Sequence, residues 1–150
     1  MISGVVFKEL RTFTDERGYF REILRVTDDV FHEGFGQCSH SMMFDGVAKA
    51  WHLHQEMALN YAVPVGNIKM VLFDDREGSG TRGQLMEIFT GPDDYKLIHV
   101  PPRVWNGFKG IGTVPALVAN CATVGHSRDE IVRLDPFSGR IPYDWALKHG

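Results

Sequence analysis

Two histidines two residues apart, His52 and His54, are the side chains of this sequence best placed to do chemistry. They end the stretch Gly46–Gln55, which reads G-V-A-K-A-W-H-L-H-Q. Imidazole changes charge closest to neutral pH, so paired histidines suit proton transfer, and they are equally good metal donors. In a β-strand successive side chains point to opposite faces. Ala48, Ala50, His52 and His54 are therefore expected on one surface, and Val47, Lys49, Trp51 and Leu53 on the other. The two alanines leave room for a ligand against the sheet, which a strand that only packs does not need.

The elements that must position this stretch are short and strand-like. Ser3–Thr14 and Tyr19–Val26 flank the polar turn Asp15-Glu16-Arg17-Gly18 and read as a hairpin. Thr27–Phe35 opens with a capping residue and suggests one helical turn, which would place His32 at the surface. Strands are then expected at Gln37–Met43, Gly46–Gln55, Leu59–Val65, Ile68–Phe73, Gln84–Thr90, Leu97–Val100, Gly107–Ile111, Ala116–Ala122 and Ile131–Leu134. Gly66-Asn67 and the long polar turn Asp74–Gly83 punctuate them. Tyr143–His149 is expected to make about one helical turn. Many short strands without repeats or linkers favour an all-β sandwich or jelly-roll barrel over an open α/β sheet.

Composition narrows the function classes. A chain of 150 residues suits a single domain, residues 1–150, that buries about two-thirds of its unfolded surface without staples. The net charge of −3 offers no basic stripe for nucleic acid or an anionic membrane, so any phosphate must meet local cations. Cys38 and Cys121 are too few and too far apart in sequence to suggest a disulfide framework or a thiolate metal site. With no signal-peptide pattern at the start and no apolar run near the ~20 residues of a membrane span, a cytoplasmic location is expected.

The histidine stretch, with Gly66 after it, resembles the first motif of the cupins, whose H-x-H and later Glu and His hold a divalent metal. Here the Glu position is Leu59 and the second-motif histidine is Asn106. A closer resemblance runs along most of the chain, to the metal-independent cupin branch of dTDP-4-dehydrorhamnose 3,5-epimerases. Asp15-Glu16-Arg17-Gly18-Tyr19-Phe20-Arg21-Glu22 is similar to that family's D-x-R-G-x-F-x-E, and Gln37–Ser41 to its Q-x-N-x-S. Gly46–His52 resembles G-V-L-R-G-L-H at the matching spacing. Asp75–Thr81, Val100-Pro101-Pro102 with Gly107-Phe108, and Asp135-Pro136 with Trp145 follow in the family's order. The resemblance implies a cupin jelly-roll β-barrel with short peripheral helical turns. It also implies an isomerase without resident cofactor or metal, and a homodimer in which an N-terminal strand such as Val5–Leu10 extends a sheet of the partner.

That family removes protons beside the ketone of a 4-keto-6-deoxy sugar carried on a nucleotide diphosphate and returns them on the opposite face. Carried over by position, His52 is the base and Asp135 the carboxylate that orients it. Arg17 and Lys49 fall where the diphosphate is met, and Glu22 and Gln37 where the nucleotide is contacted or the site braced. Phe20 and Phe108 pack with an edge toward the ligand, and Trp51 and Trp105 read either as stacking platforms or as core. Three positions depart from the pattern. The expected acid tyrosine falls near Asn120, the lysine near Leu59, and the second-motif histidine is Asn106. An asparagine amide can donate a hydrogen bond to an enolate oxygen, so Asn106 or Asn120 suits that role, but it supplies no proton. His54, Tyr61 and His126 are the candidates for the acid. Two other readings stay open: a sugar-nucleotide-binding cupin without turnover, and a metal cupin using His52 and His54.

Overall fold

The computed structural model describes residues 1–148, apart from the side chains of His32 and Glu33. Twelve strands in this region are β1 (Val6–Glu9), β2 (Thr12–Asp15), β3 (Gly18–Arg21), β4 (Gln37–Met43), β5 (Ala48–His54), β6 (Leu59–Val65), β7 (Asn67–Asp74), β8 (Leu85–Thr90), β9 (Lys96–Val100), β10 (Val104–Ile111), β11 (Ala116–Ala122) and β12 (Ile131–Arg133). They form two five-stranded antiparallel sheets, β1-β9-β6-β11-β4 and β12-β5-β10-β7-β8, and a separate β2–β3 hairpin. This is the jelly-roll of the cupins. The expected helical turn at Thr27–Phe35 is a 3-10 turn at Asp29–Glu33, and a second one, at Arg128–Glu130, precedes β12. Residues 143–148 are not helical, and His149 lies outside the described residues.

Alternation along the strands builds the core. On β7, Ile68, Met70 and Leu72 join Leu59, Val63, Ile98 and Val118 in the space between the sheets. Val71, pointing the other way, meets Trp51, Trp105, Ile141 and Trp145, where the C-terminal segment covers the outer face of the second sheet. Trp145 lies 5.0 Å from Trp51 and 4.9 Å from Tyr143 between ring centroids. Its backbone carbonyl accepts from Lys109 Nζ at 2.8 Å. A third cluster, Val30, Ala62, Tyr95 and Leu97, lies under the chain that runs from the hairpin to the 3-10 turn.

Two irregularities shape the barrel. Pro64 has no N–H to give to a ladder, and the β6–β11 register shifts between Leu117 and Ala119 at its level. On β5, Lys49 pairs with Phe108 and His52 with Asn106, so Ala50 and Trp51 together oppose Gly107 alone. That is a β-bulge. Gly107 permits it, since a Cβ there would come within 2.4 Å of Ala50 Cβ. Cys38 and Cys121, distant in sequence, are directly opposed on β4 and β11 as free thiols with their sulfurs 3.8 Å apart. Burial, and then Cys38 beside it, pushes the Cys121 thiol up to about 11.

Candidate active site

The β5 bulge corrects the simple alternation. With one extra residue between them, Lys49 and His52 face the same way, and Lys49, His52 and His54 all line a cavity of about 440 Å³. Trp51 turns instead into the outer aromatic cluster. The opposite wall comes from Gln37, Ser39 and Ser41 of β4, with Val118 and Asn120 of β11. Tyr61 and Phe108 lie deeper, ring to ring at 5.9 Å. His126, from the loop before β12, and Ile131 and Arg133, on β12, close the rim.

Among the described residues the lining carries cations and imidazoles and no carboxylate, in a chain whose net charge is −3. Burial pushes His52 down to about 4, assisted by the positive fields of Arg133, His54 and Lys49. Burial also lowers His54, against the opposing pull of Glu130. Both rings are therefore neutral at pH 7, each with a lone pair able to take a proton or accept a hydrogen bond. Complete burial raises the Tyr61 phenol far above its usual range, so it stays protonated.

Hydrogen bonds sort the remaining candidates. Asn120 Oδ1 accepts the Asn60 backbone N–H at 3.1 Å, which leaves its amide NH2 for the cavity that it lines. Gln37 Oε1 accepts the His126 backbone N–H at 2.7 Å and so braces the rim. Asn106 is a different case. It is wholly buried, gives its NH2 to the carbonyls of His52 (3.1 Å) and Val104 (3.4 Å), and accepts the Tyr61 hydroxyl at 3.3 Å. It holds His52 and Tyr61 in place and does not line the cavity.

Other expectations need correcting. Asp135 is exposed and caps its own turn by accepting the Phe137 N–H at 2.7 Å; no hydrogen bond joins it to His52. Two residues after Arg133, it has left the strand that carries Arg133 beside His52. Trp105 packs in the outer aromatic cluster, so core is the correct alternative for it. Arg17, Phe20 and Glu22 belong to the β2–β3 hairpin and the chain just after it, away from the cavity of their own chain. Arg17 pairs with Asp15 and has an 85% exposed side chain, and Glu22 pairs with Arg25. Sequence reading missed Arg133, Ser39, Ser41 and Glu130. Alternation from Ile131 carried a signal for Arg133, and alternation from Gln37 one for the serines. Nothing local marked Glu130, whose partners lie more than 70 residues away. Among the described residues, no group of three His, Cys, Asp or Glu side chains is placed to hold a metal ion.

A profile described as dTDP-4-dehydrorhamnose 3,5-epimerase matches residues 1–147. The spore coat polysaccharide biosynthesis protein SpsL of Bacillus subtilis is 35% identical over 144 residues, covering 96% of this chain and 91% of its own. A protein of Haloferax volcanii, named as a probable low-salt glycan biosynthesis epimerase, is also 35% identical over 144 residues, covering 95% and 89%. The crystal structure of a dTDP sugar isomerase from Desulfovibrio desulfuricans superposes with a TM-score of 0.94 at 39% identity, covering 99% of this chain and 94% of that one.

Proposed function

The chain belongs to the dTDP-4-dehydrorhamnose 3,5-epimerase family, and from that premise we propose that its cavity binds a nucleoside-diphosphate 4-keto-6-deoxy sugar and epimerises it by enolisation beside the ketone. The observation that carries this reading is the lining itself: His52 and His54 stand beside Lys49 and Arg133, with no carboxylate among the described lining residues to repel a diphosphate. Arginine meets a phosphate with a planar fork and lysine with a compact charge, so the pair suits two phosphoryl groups.

His52 is the base. In the free protein it is a weak one, and two of the charges that weaken it, Arg133 and Lys49, are those that a diphosphate would neutralise. Substrate binding therefore strengthens the base at the moment it is needed. The neutral imidazole takes the proton beside the ketone, the electron pair passes into the enolate, and the Asn120 amide donates a hydrogen bond to the enolate oxygen. One relative is named for spore coat polysaccharide biosynthesis and another as a probable glycan biosynthesis epimerase, which supports reading a service in polysaccharide or glycan biosynthesis here. A binding protein without turnover is the second reading, favoured by the separation of Asp135 from His52.

Incubation with dTDP-4-keto-6-deoxyglucose in heavy water separates the two. Deuterium is expected at C3, C5 or both by NMR, and His52→Ala is expected to abolish uptake while calorimetry still records binding. Exchange undiminished in that variant would remove His52 from the role. Binding without any exchange by the natural protein would leave the binding module.

A further inference from the structure

Glu130 sits in an unusual place for a carboxylate. It ends the 3-10 turn before β12 with only 9% of its surface exposed. Its Oε1 accepts backbone N–H groups from Met57 (2.7 Å) and Glu56 (3.0 Å), and Oε2 takes a longer one from Glu56 (3.2 Å). Two consecutive backbone donors fix the carboxylate without neutralising it. Facing it is His54 Nδ1, 3.8 Å from Oε1, buried and with no hydrogen bond of its own. That separation is within ion-pair range and long for a hydrogen bond, a looseness common at catalytic pairs before substrate binds. The backbone of His54 is clamped on both sides, by pairing with Ile131 and by accepting the Arg103 N–H at 2.7 Å. The other charged or titratable groups around this ring are His52, on the same face of β5, His126, from the loop, and Arg133, on β12. Of the three imidazoles that line the cavity, His54 is the one that faces a buried carboxylate among the described residues.

We propose that Glu130 is the positioning residue of His54, and that His54, so held, is the second proton carrier of the epimerisation. This rests on the epimerase reading above. Glu130 accepts a hydrogen bond from Nδ1–H and turns Nε2 to the cavity; His54, neutral in the free protein, takes a proton from water on Nε2 once a bound diphosphate offsets Arg133, and the carboxylate behind stabilises that imidazolium. His52 takes the proton from carbon, leaving the enolate. The His54 imidazolium then gives its Nε2 proton to the same carbon, becomes neutral, and regains a proton from water as His52 releases one. The departure at Asn120, where the resemblance leads one to expect an acid, is thereby supplied from another strand.

The test compares exchange with inversion. In heavy water, Glu130→Gln and His54→Gln should keep deuterium uptake, because His52 can return a deuteron to the face it came from. Inverted product should fall at least tenfold relative to uptake. His54→Gln carries the test if Glu130→Gln fails to fold, since His54 does not hold the Glu56–Met57 loop. The His54 ring, followed by NMR on folded Glu130→Gln, should titrate at lower pH than in the natural protein. Inversion and exchange falling in parallel, or a His54 titration indifferent to Glu130, overturns this assignment alone. A natural protein that neither exchanges nor inverts overturns the epimerase reading and this assignment with it.

Discussion

His52 and Asn106 show how much of the site depends on single side chains. The Asn106 amide ties the His52 carbonyl to the Tyr61 hydroxyl in a fully buried position. Asn106→Ala removes partners from both groups, and a buried polar group left unpaired costs about 1–3 kcal/mol. A urea midpoint lowered by a loss of that size is expected, together with weaker catalysis through a displaced His52. The protonation of His52 makes a separate prediction. Its value in the folded chain is about 4 against an ordinary 6.5, so between those limits the unfolded chain binds the proton that the folded one refuses. Stability is thus fully present above about pH 6.5 and is lost as pH falls toward 4. His54 is lowered as well and acts in the same direction. Thermal melts should show a midpoint dropping by several degrees across that window, and His52→Gln should flatten the drop. An equal drop in the variant would assign the acid sensitivity elsewhere.

The bulge between β5 and β10 decides which side chains the cavity receives. Ala50 and Trp51 oppose Gly107, so Lys49 joins His52 on the inner face while Trp51 reaches the outer cluster. Gly107→Ala would set a methyl 2.4 Å from Ala50 Cβ and 3.1 Å from Trp145 Cζ2. Overpacking of this kind costs about 1–3 kcal/mol. Its distinctive result is weaker sugar-nucleotide binding in calorimetry, because the Lys49–His52 spacing depends on the bulge. Binding unchanged in a folded Gly107→Ala variant would show that the strands can shift elsewhere. Most of the strands were legible from alternation and from Gly, Pro and Asp punctuation, since each is a local pattern. The bulge was not, because it arises from the meeting of Ala50 with Gly107, more than 50 residues on.

At the scale of the whole molecule, the hairpin stands apart from the two large sheets and is tied to its own chain through Arg21, which donates to the Pro92 carbonyl at 3.0 Å. β2–β3 pairs with neither large sheet, and it exposes Phe13 (51%), Tyr19 (58%) and Phe20 (61%). A two-stranded hairpin is marginal by itself in water, and clustered exposed aromatics mark a contact surface. A homodimer in which N-terminal strands of one copy pack on the other would cover these residues. Light scattering should give twice the 16.9 kDa chain mass. Phe13→Ser with Phe20→Ser should return it toward the single-chain value, whereas a natural protein running at 16.9 kDa at micromolar concentration would end the proposal.

The sequence alone was enough for the all-β class, the order of the strands and the family. Those follow from local alternation, turn residues and motif order, which do not depend on what lies across the barrel. It was also enough to bring forward His52 and His54, which alternation set on one face, and Lys49, Gln37 and Asn120, which the resemblance carried over by position although alternation alone set Lys49 on the other face. Three-dimensional packing settled the rest. The cavity is a meeting of strands far apart in the chain, and a side chain's partner there depends on register, bulges and burial. That is why Asp135 turned to its own loop, why Asn106 became a brace, and why Glu130 came to stand behind His54.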